Sequence, residues 1–580
     1  MNIPKDPHSF SRPDEAVVNH LALDLSVDFE KRMLSGKATL RIDNRRRVQK
    51  LFLDVDDLII HRATLGNAEA ETSFVLQDQR KHLGRALIID ISPDTSVVQL
   101  YYSTKPTAAA LQWLQPEQTA GRKHPFLFTQ SQAALARSWV PCQDTPSVRM
   151  TYEARIKTPT HLLAVMSAEN PTEKNDQGIY VFKMSNPIPS YLLALAVGDI
   201  EFRSTGPRTG VYAEPAVVEK AAWEFAETEK MLQAAERLYG PYRWGRYDLI
   251  VLPPSFPWGG MENPRLTFVT PTVLAGDRSL VALVAHELAH SWSGNLVTNA
   301  SWNDFWLNEG FTTYFEHRIM EVVYGREYED MLSVLNLQDL HREVAQIGAT
   351  SGDTHLKLDL ADRDPEDATT QIPYEKGQFF LRTIEQAVGR ERWDAFLKKY
   401  FNEYAFQSVT TEDFLDFLRT HLIQDNEELE RKLRIEDWLY KPGVPSNIVE
   451  IRSELLSRVE NELHNWLQGT PPSKLNTGKW RTQEWLYFLR KIPADVDTQK
   501  MSDLDGAFRL SDSQNAEILH EWLLQAVARN YKPAYPAIER FLSSNGRRKY
   551  VKSLFTQLAK TPEDRDFAKR IYARTRPMYH

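Results

Sequence analysis

The stretch VAHELAHSWSG places His286 and His290 four residues apart, with Glu287 directly after the first histidine. On an α-helix this spacing is about 400° of rotation, so both imidazoles project from one face about one turn apart. Such a pair can bind one tetrahedral zinc ion at nitrogen–zinc distances of roughly 2.0–2.1 Å. Glu287 would then lie beside the metal as a base for water rather than as a ligand. The spacing predicts the core of a hydrolytic zinc site.

Glu309 is the expected third ligand of this site. Eighteen residues lie between His290 and Glu309, which stands in WLNEG on the next segment with helical spacing. A catalytic zinc needs a third protein ligand and one open position. A helical hairpin across Gly294 would bring Glu309 close to the two histidines. Glu316 could orient one of the ligands by a hydrogen bond. The alternative for each residue taken singly is a solvated polar helix face. We expect one zinc ion per chain.

The stretch PWGGMENP, upstream of the histidines, contains Gly259, Gly260, Met261 and Glu262. Paired glycines permit a peptide to lie close against the backbone as an added strand. Glu262 can hold a free α-amino group as an ion pair, which would place the cut after the first residue. A thermolysin-like endopeptidase is the alternative, and Glu262 disfavours it by occupying the place of further N-terminal residues.

The combination of HExxH, eighteen intervening residues, glutamate and GGMEN resembles the M1-family zinc aminopeptidases. More closely, the chain resembles the leukotriene A(4) hydrolase/aminopeptidase branch of that family. Matching stretches occur almost from end to end, namely LQWLQPEQTAG, PCQDTPSV, VLPPSFPWGGMENP, LTFVTPT, SGNLVTN, WNDFWLNEGFT, PYEKG and GRRKY. The resemblance implies an aminopeptidase of the EC 3.4.11 class that acts on short peptides with a free N-terminus.

The resemblance also implies roles for residues outside the zinc motif. Tyr374 in PYEKG would donate its hydroxyl to the oxyanion of the tetrahedral intermediate. Gln132, with Gln130 nearby, would line the pocket for the first substrate residue. Arg547 and Lys549 in GRRKY would recognise the C-terminal carboxylate of the peptide. The alternatives are a packed tyrosine with a satisfied hydroxyl and a solvated basic helix face.

Three positions depart from the pattern of the family members that also hydrolyse a lipid epoxide. Trp258 and Thr369 stand where those members carry tyrosine, and Glu366 replaces an aspartate associated with placing water on the lipid. A carboxylate longer by one methylene moves its oxygens by about 1 Å or more, and such a misplacement can cost about 10²-fold in rate. We therefore expect peptide hydrolysis with weak or no epoxide hydrolysis.

Two other functions are alternatives to the aminopeptidase. One is a bifunctional enzyme that retains residual lipid epoxide hydrolase activity. The other is an inactive relative that only binds peptides, which would be expected to lose Glu287 or Tyr374 first, and both residues are present.

The elements that must carry these residues change in type along the chain. Over the first two hundred residues apolar positions such as Leu21, Leu23 and Leu25 alternate with polar ones, which predicts strands, with Ser35-Gly36 as a turn. From about residue 215 the period becomes helical, which predicts a helix over residues 217–239 among others. Lys441–Pro445 then interrupts the helical pattern with helix-breaking residues. The resemblance implies that the first two regions are a saddle-like and a thermolysin-like domain. The predicted regions of this multidomain α+β chain are an antiparallel β domain at 1–200, an α/β catalytic domain at 201–440, a proline-containing linker at 441–449 and an all-α helical domain at 450–580.

Composition excludes several other classes of protein. The 580 residues suit several domains, and a net charge of −8 supplies no basic field for nucleic acid. No apolar run is long enough to span a membrane, and the first residues lack the pattern of a secretory signal. The single cysteine, Cys142, permits no intramolecular disulfide. We expect a cytoplasmic monomer.

Overall fold

The structure is a computed structural model and describes residues 5–579. In its N-terminal region the alternation seen in the sequence becomes strand, because Leu21, Leu23 and Leu25 are buried while Asp24 and Ser26 are exposed. The strands of this region are β1 Val17–Asp28, β2 Met33–Asp43, β3 Lys50–Val55, β4 Ile59–Leu65, β5 Ala70–Glu71, β6 Phe74–Leu76, β7 Arg85–Asp90, β8 Val97–Ser103, β9 Leu111–Leu114, β10 Phe126–Thr129, β11 Arg149–Lys157, β12 Leu163–Met166, β13 Ile179–Pro189 and β14 Leu195–Gly198.

These strands form sheets in the orders β13-β11-β1-β2-β8-β4-β5, β12-β14-β10-β9 and β3-β7-β6. Their pairs are antiparallel except for β1 with β11, which runs parallel. The expected turn at Ser35-Gly36 is wrong. Both residues lie inside β2, where Gly36 pairs with Leu25, and the chain reverses instead between Asp28 and Met33.

The middle region is mixed α and β, as expected. Its main sheet has the order β15-β16-β17-β19-β18, and β20 pairs with β21. The helix expected over residues 217–239 is interrupted, since α1 ends at Glu224 and α2 begins at Thr228. The strands are β15 Glu201–Ser204, β16 Thr209–Ala213, β17 Tyr247–Val251, β18 Gly260–Met261, β19 Thr267–Val269, β20 Val297–Asn299 and β21 Gln407–Val409. The α-helices are α1 Val218–Glu224, α2 Thr228–Tyr239, α3 Ala282–Ala289, α4 Trp306–Tyr324, α5 Arg326–Ile347, α6 Gly377–Val388, α7 Arg390–Glu403, α8 Thr411–Leu418, α9 Glu427–Leu433 and α10 Ile435–Tyr440.

The C-terminal region is helical throughout its described part. Residues 441–453, which include the expected linker, contain no helix or strand and connect α10 to the first helix of this region. The helices are α11 Glu454–Leu467, α12 Thr482–Lys491, α13 Thr498–Phe508, α14 Ala516–Ala528, α15 Tyr535–Ser544, α16 Arg548–Leu558 and α17 Pro562–Thr575. Within residues 5–579, no helix combines the length and apolar character needed to cross a membrane.

Candidate metal centre and active site

Two helices bring the predicted zinc ligands together. Helix α3 carries His286 and ends next to His290, while α4 carries Glu309 in its first turn. The Oε2 atom of Glu309 lies 3.3 Å from His286 Nε2 and 3.5 Å from His290 Nε2. Three ligand atoms at tetrahedral angles and roughly 2.0–2.1 Å from one zinc ion are about 3.3–3.4 Å apart. The observed separations therefore suit one zinc ion.

The hydrogen bonds of the two imidazoles show which nitrogen atoms are free. His286 Nδ1 lies 3.0 Å from Glu316 Oε2, and His290 Nδ1 lies 3.1 Å from the Ser293 carbonyl oxygen. A carboxylate and a carbonyl only accept hydrogen bonds, so each Nδ1 carries a proton, and in the neutral imidazole each Nε2 keeps a lone pair for a metal ion. Both lone pairs face Glu309 Oε2, which has no hydrogen-bond partner in the described part of the chain. Three acceptors that converge in this way form a site that one metal cation fits.

Burial sets the charge of the groups around this point. It lowers the pKa of His290 to about 4, so the imidazole is neutral, the form that binds a metal ion. Burial also raises the pKa of Glu287 well above its usual range, and the Glu262 and Glu309 carboxylates add to the shift. In both residues the largest cause of the pKa shift is the removal of the ionisable group from water.

Glu287 lies against the strand that carries GGMEN. Its side chain is buried, and its Oε2 atom has no partner among residues 5–579. A Cβ atom on Gly260 in β18 would lie 2.2 Å from Glu287 Oε1, so the carboxylate occupies the space that a side chain there would fill. When the Glu287 carboxyl is ionised, this unpartnered oxygen can accept a proton.

Tyr374 reaches the site from a π-helical turn, Ile372–Lys376, a geometry frequent at functional sites. Its ring stacks on the His286 imidazole, with centroids 5.9 Å apart and planes inclined by 18°. Burial raises the pKa of Tyr374 well above its usual value, and the Glu309 carboxylate adds to the shift, so the hydroxyl keeps its proton. It is available as a hydrogen-bond donor.

A pair of glycines sets the distance between Glu309 and Tyr374. Gly310 follows Glu309 in α4, and Gly377 begins α6 directly after the π turn. A Cβ atom on Gly310 would lie 2.8 Å from the Gly377 Cα and 3.0 Å from the Pro373 carbonyl oxygen. The two backbones therefore touch, and only glycine permits this approach.

Glu262 lies buried beyond Met261 and is held by two asparagines. Asn295 Nδ2 donates to its main-chain carbonyl at 2.8 Å, and Asn308 Nδ2 lies 3.5 Å from its Oε1 atom. Burial raises the pKa of Glu262, so an incoming ammonium group would stabilise its charged form. Sequence reasoning missed both asparagines, although Asn308 stands next to Glu309 in WLNEG.

The two predicted glutamines lie on the segment after β10. Gln130 Nε2 lies 3.3 Å from Met261 Sδ, which joins this segment to the GGMEN strand. The amide after Gln132, that of Ala133, donates to Glu366 Oε1 at 2.8 Å. Burial raises the pKa of Glu366 to about 7. Sequence reasoning marked Glu366 only as a departure, whereas the structure connects it to the segment of Gln132.

Of the other two departures, Thr369 lies three residues after Glu366, whereas Trp258 lies in the stretch PWGGMENP. The Arg548 guanidinium lies 5.8 Å from the centroid of the Trp258 ring. Thr369 terminates the short 3-10 turn that contains Glu366.

Arg547 and Lys549 stand at the start of α16 and share one carboxylate. Glu517 Oε1 accepts from Arg547 at 3.2 Å and from Lys549 at 2.9 Å. Arg547 Nη2 would lie 2.9 Å from a Cβ atom on Gly259, so the guanidinium lies beside GGMEN. Lys549 has a side chain 51% exposed, whereas that of Arg547 is 14% exposed. The structure brings Arg547 to the site and leaves Lys549 at the surface.

Comparison with known proteins gives the family. Residues 17–192 match the Peptidase M1 N-terminal domain, residues 223–436 the Peptidase family M1 domain, and residues 480–580 the domain described as Leukotriene A4 hydrolase, C-terminal. The chain is 38% identical to leukotriene A-4 hydrolase of Xenopus laevis over 596 residues, which cover 99% of this chain and 97% of that relative. The chain belongs to the M1 peptidase family. This M1 peptidase is also 34% identical to leucine aminopeptidase 2 of Ajellomyces capsulatus, over 100% of this chain and 96% of that one.

The fold agrees with the family. The structure of yeast LTA4 hydrolase in complex with bestatin matches this M1 peptidase with a TM-score of 0.93 at 32% identity, covering 100% of this chain and 96% of that one. The expected family, three-part fold and metallopeptidase class are confirmed. The roles of the individual site residues and the exact domain boundaries stay predictions.

Proposed function

We propose that this M1 peptidase is a zinc aminopeptidase that removes the first residue from short peptides, with His286, His290 and Glu309 binding the zinc ion. The observation that carries the proposal is the convergence of three lone pairs, in which Glu309 Oε2 lies 3.3 and 3.5 Å from the two imidazole nitrogens. Two nitrogens, one carboxylate oxygen and an open position are a usual set for catalytic zinc.

Zinc bound there would supply a Lewis acid for the scissile carbonyl and for the attacking water. Glu287 takes the proton from that water, since its unpartnered, buried Oε2 atom can accept it. Tyr374 donates its hydroxyl proton in a hydrogen bond to the oxyanion that forms on the substrate. Its raised pKa keeps that proton in place at neutral pH.

Glu262 makes the enzyme an exopeptidase. A carboxylate that is buried and has few donors around it is stabilised by a substrate ammonium group in a charge-assisted hydrogen bond. An acetylated terminus has no charge and leaves Glu262 desolvated and unpaired. Removing one partner of a buried ion pair costs about 3–5 kcal/mol, which is about two to four orders of magnitude in kcat/KM.

The rest of the substrate lies between the β region and the helical region. The main chain of Gly259, Gly260 and Met261 runs along the peptide as a neighbouring strand. Gln130 and Gln132 line the pocket for the first side chain. The guanidinium of Arg547, with Lys549 at the rim, binds the C-terminal carboxylate, which limits the substrates to short peptides. The monomeric state and cytoplasmic location remain inferences from the sequence.

The experiment compares alanine p-nitroanilide and Ala-Ala-Ala with their N-acetylated forms, before and after metal removal and zinc restoration. We expect release of one residue at a time from the free peptides, with the acetylated forms cleaved at least 10²-fold less well. Glu262→Gln should weaken cleavage of the free peptides and reduce that difference. Internal cuts in acetylated peptides by the pure enzyme, or full activity after verified metal removal, would contradict the proposal.

A further inference from the structure

Two side chains from the N-terminal β region lie beneath the catalytic site. Arg149, the first residue of β11, donates from Nη2 to the Asn295 carbonyl oxygen at 2.6 Å and to the Pro187 carbonyl oxygen at 2.8 Å. Its Nη1 atom donates to the Thr298 hydroxyl. Tyr191, which follows β13, donates to the Gly294 carbonyl oxygen at 3.3 Å.

Apart from the contact with Pro187, which lies in β13, these contacts converge on one turn of the catalytic region. The turn spans residues 293–298 and connects the end of the α3 segment to β20. Its Ser293 carbonyl oxygen fixes the His290 imidazole, and its Asn295 side chain donates to the Glu262 carbonyl at 2.8 Å. The turn therefore supports both the metal centre and the residue proposed to hold the amino group.

Tyr191 reaches Glu262 by a second route. Asn308 Nδ2 lies 3.4 Å from the Tyr191 hydroxyl oxygen and 3.5 Å from Glu262 Oε1, so both acceptors orient one amide. Tyr191 is 1% exposed and Asn308 is 0% exposed. The Tyr191 ring also packs edge-on against Trp302, with centroids 5.3 Å apart. This packing holds the ring independently of its hydroxyl.

Arg149 holds several acceptors in place by hydrogen bonds and not by pairing with an opposite charge. In the described part of the chain, its guanidinium has carbonyl and hydroxyl partners and no carboxylate partner. Several acceptors held at once require the planar fork of arginine, which the single ammonium of lysine does not reproduce. Burial of an arginine charge without a counter-charge costs free energy, and the hydrogen bonds of Arg149 offset part of that cost.

We propose that Arg149 and Tyr191 are positioning residues through which the N-terminal β region sets Glu262 for the amino group of the substrate. The proposal rests on the role proposed for Glu262 above. It means that the β region takes part in selecting free N-termini, although it supplies none of the proposed zinc ligands.

The experiment uses Tyr191→Phe in the full zinc-loaded chain, which removes the hydroxyl and keeps the ring. Tyr152→Phe is the matched control, since Tyr152 is equally buried in the same region and its hydroxyl lies 3.0 Å from Ser167 Oγ. Two inhibitors serve as probes: alanine hydroxamate, which carries the amino group, and propionohydroxamate, which lacks it. The measurements are KM and kcat on alanine p-nitroanilide, both inhibition constants, and zinc content.

We expect Tyr191→Phe to raise KM and to weaken alanine hydroxamate by about 3- to 10-fold, the effect of one hydrogen bond. The kcat value, propionohydroxamate binding and zinc content should stay within about 2-fold of the parent. Arg149→Lys should show the same pattern, because its charge is kept and its fork is lost. Tyr152→Phe should change neither inhibition constant.

Equal weakening of both hydroxamates, or loss of zinc, would assign Tyr191 a general structural role and overturn the inference. The inference is also overturned if Tyr191→Phe, like Tyr152→Phe, leaves both inhibition constants unchanged. Glu262→Gln separates the two proposals. If Glu262→Gln does not weaken alanine hydroxamate relative to propionohydroxamate, the role of Glu262 itself is wrong. If it does and the Tyr191 and Arg149 variants do not, only the positioning inference fails.

Discussion

Gly310→Ala should impair catalysis without touching a proposed catalytic side chain. The added Cβ atom would lie 2.8 Å from the Gly377 Cα and 3.0 Å from the Pro373 carbonyl oxygen. Ordinary carbon–carbon contact is about 3.5–4.0 Å, so α4 and the π turn must separate by roughly 0.7–1.2 Å. Both obstacles are backbone atoms, and no side-chain rotation relieves the contact.

The separation acts between Glu309 on one side and Tyr374 on the other. A displacement of about 1 Å between reacting groups can cost about 10²-fold in rate, so we expect kcat to fall by that factor. Overpacking costs about 1–3 kcal/mol, and replacing a helical glycine by alanine returns about 0.5–1 kcal/mol. The free energy of unfolding should therefore fall by up to about 2.5 kcal/mol.

The assay combines kcat on alanine p-nitroanilide, zinc content and urea unfolding. Gly506→Ala in α13 is the control, because a Cβ atom there meets nothing within 4 Å. We expect the control to leave kcat unchanged and to raise stability by up to about 1 kcal/mol. Parental kcat and stability in Gly310→Ala would refute the reasoning, since they would mean that the glycine contact does not set the distance between Glu309 and Tyr374.

Four further predictions concern the site itself. Glu287→Gln should lower kcat by about 10²–10⁴-fold, and Tyr374→Phe should lower it by about 10²–10³-fold. Metal analysis should find the zinc content unchanged in both variants. A parental kcat in either variant would show that the residue has no part in the mechanism. Arg547→Ala should abolish the preference for free-acid over amidated tripeptides in kcat/KM, and equal losses on both substrates would indicate a structural role instead. We assign Glu366, which accepts a hydrogen bond from the Ala133 amide next to Gln132, to the pocket for the first substrate side chain. Because burial raises the pKa of Glu366 to about 7, its carboxyl deprotonates near neutrality. The ratio of kcat/KM for arginine p-nitroanilide to that for alanine p-nitroanilide should thus increase from about pH 6 to about pH 8, and it should not change with pH in Glu366→Gln. The same increase in Glu366→Gln would contradict the place of Glu366 in the pocket.

The sequence by itself determined the features that depend on local geometry. The four-residue spacing of His286 and His290 becomes one helix face because the rotation per residue is the same in every α-helix. The alternation around Leu23 becomes strand for the same kind of reason. The metallopeptidase class also followed from the sequence, since the residue types in HExxH and GGMEN limit the chemistry available to them.

Local patterns were less informative where tertiary contacts compete. Ser35-Gly36 has the composition of a turn, yet Gly36 lies within β2 because its missing Cβ avoids the Asp24 carbonyl oxygen on the paired strand. The helix expected over residues 217–239 is divided where Glu224 turns to accept hydrogen bonds from the amides of Gly276 and Arg278.

Only the tertiary structure decided how the site residues are held. The partners of Glu262, the carboxylate of Glu517 beneath Arg547 and the contact of Gly310 with Gly377 all join residues that are distant in sequence. Such contacts depend on how whole elements pack, and no periodicity in a single chain encodes which two elements meet or at what distance. Residue type and spacing thus predicted which side chains could do the chemistry, and packing set the distances and hydrogen bonds that prepare them for it.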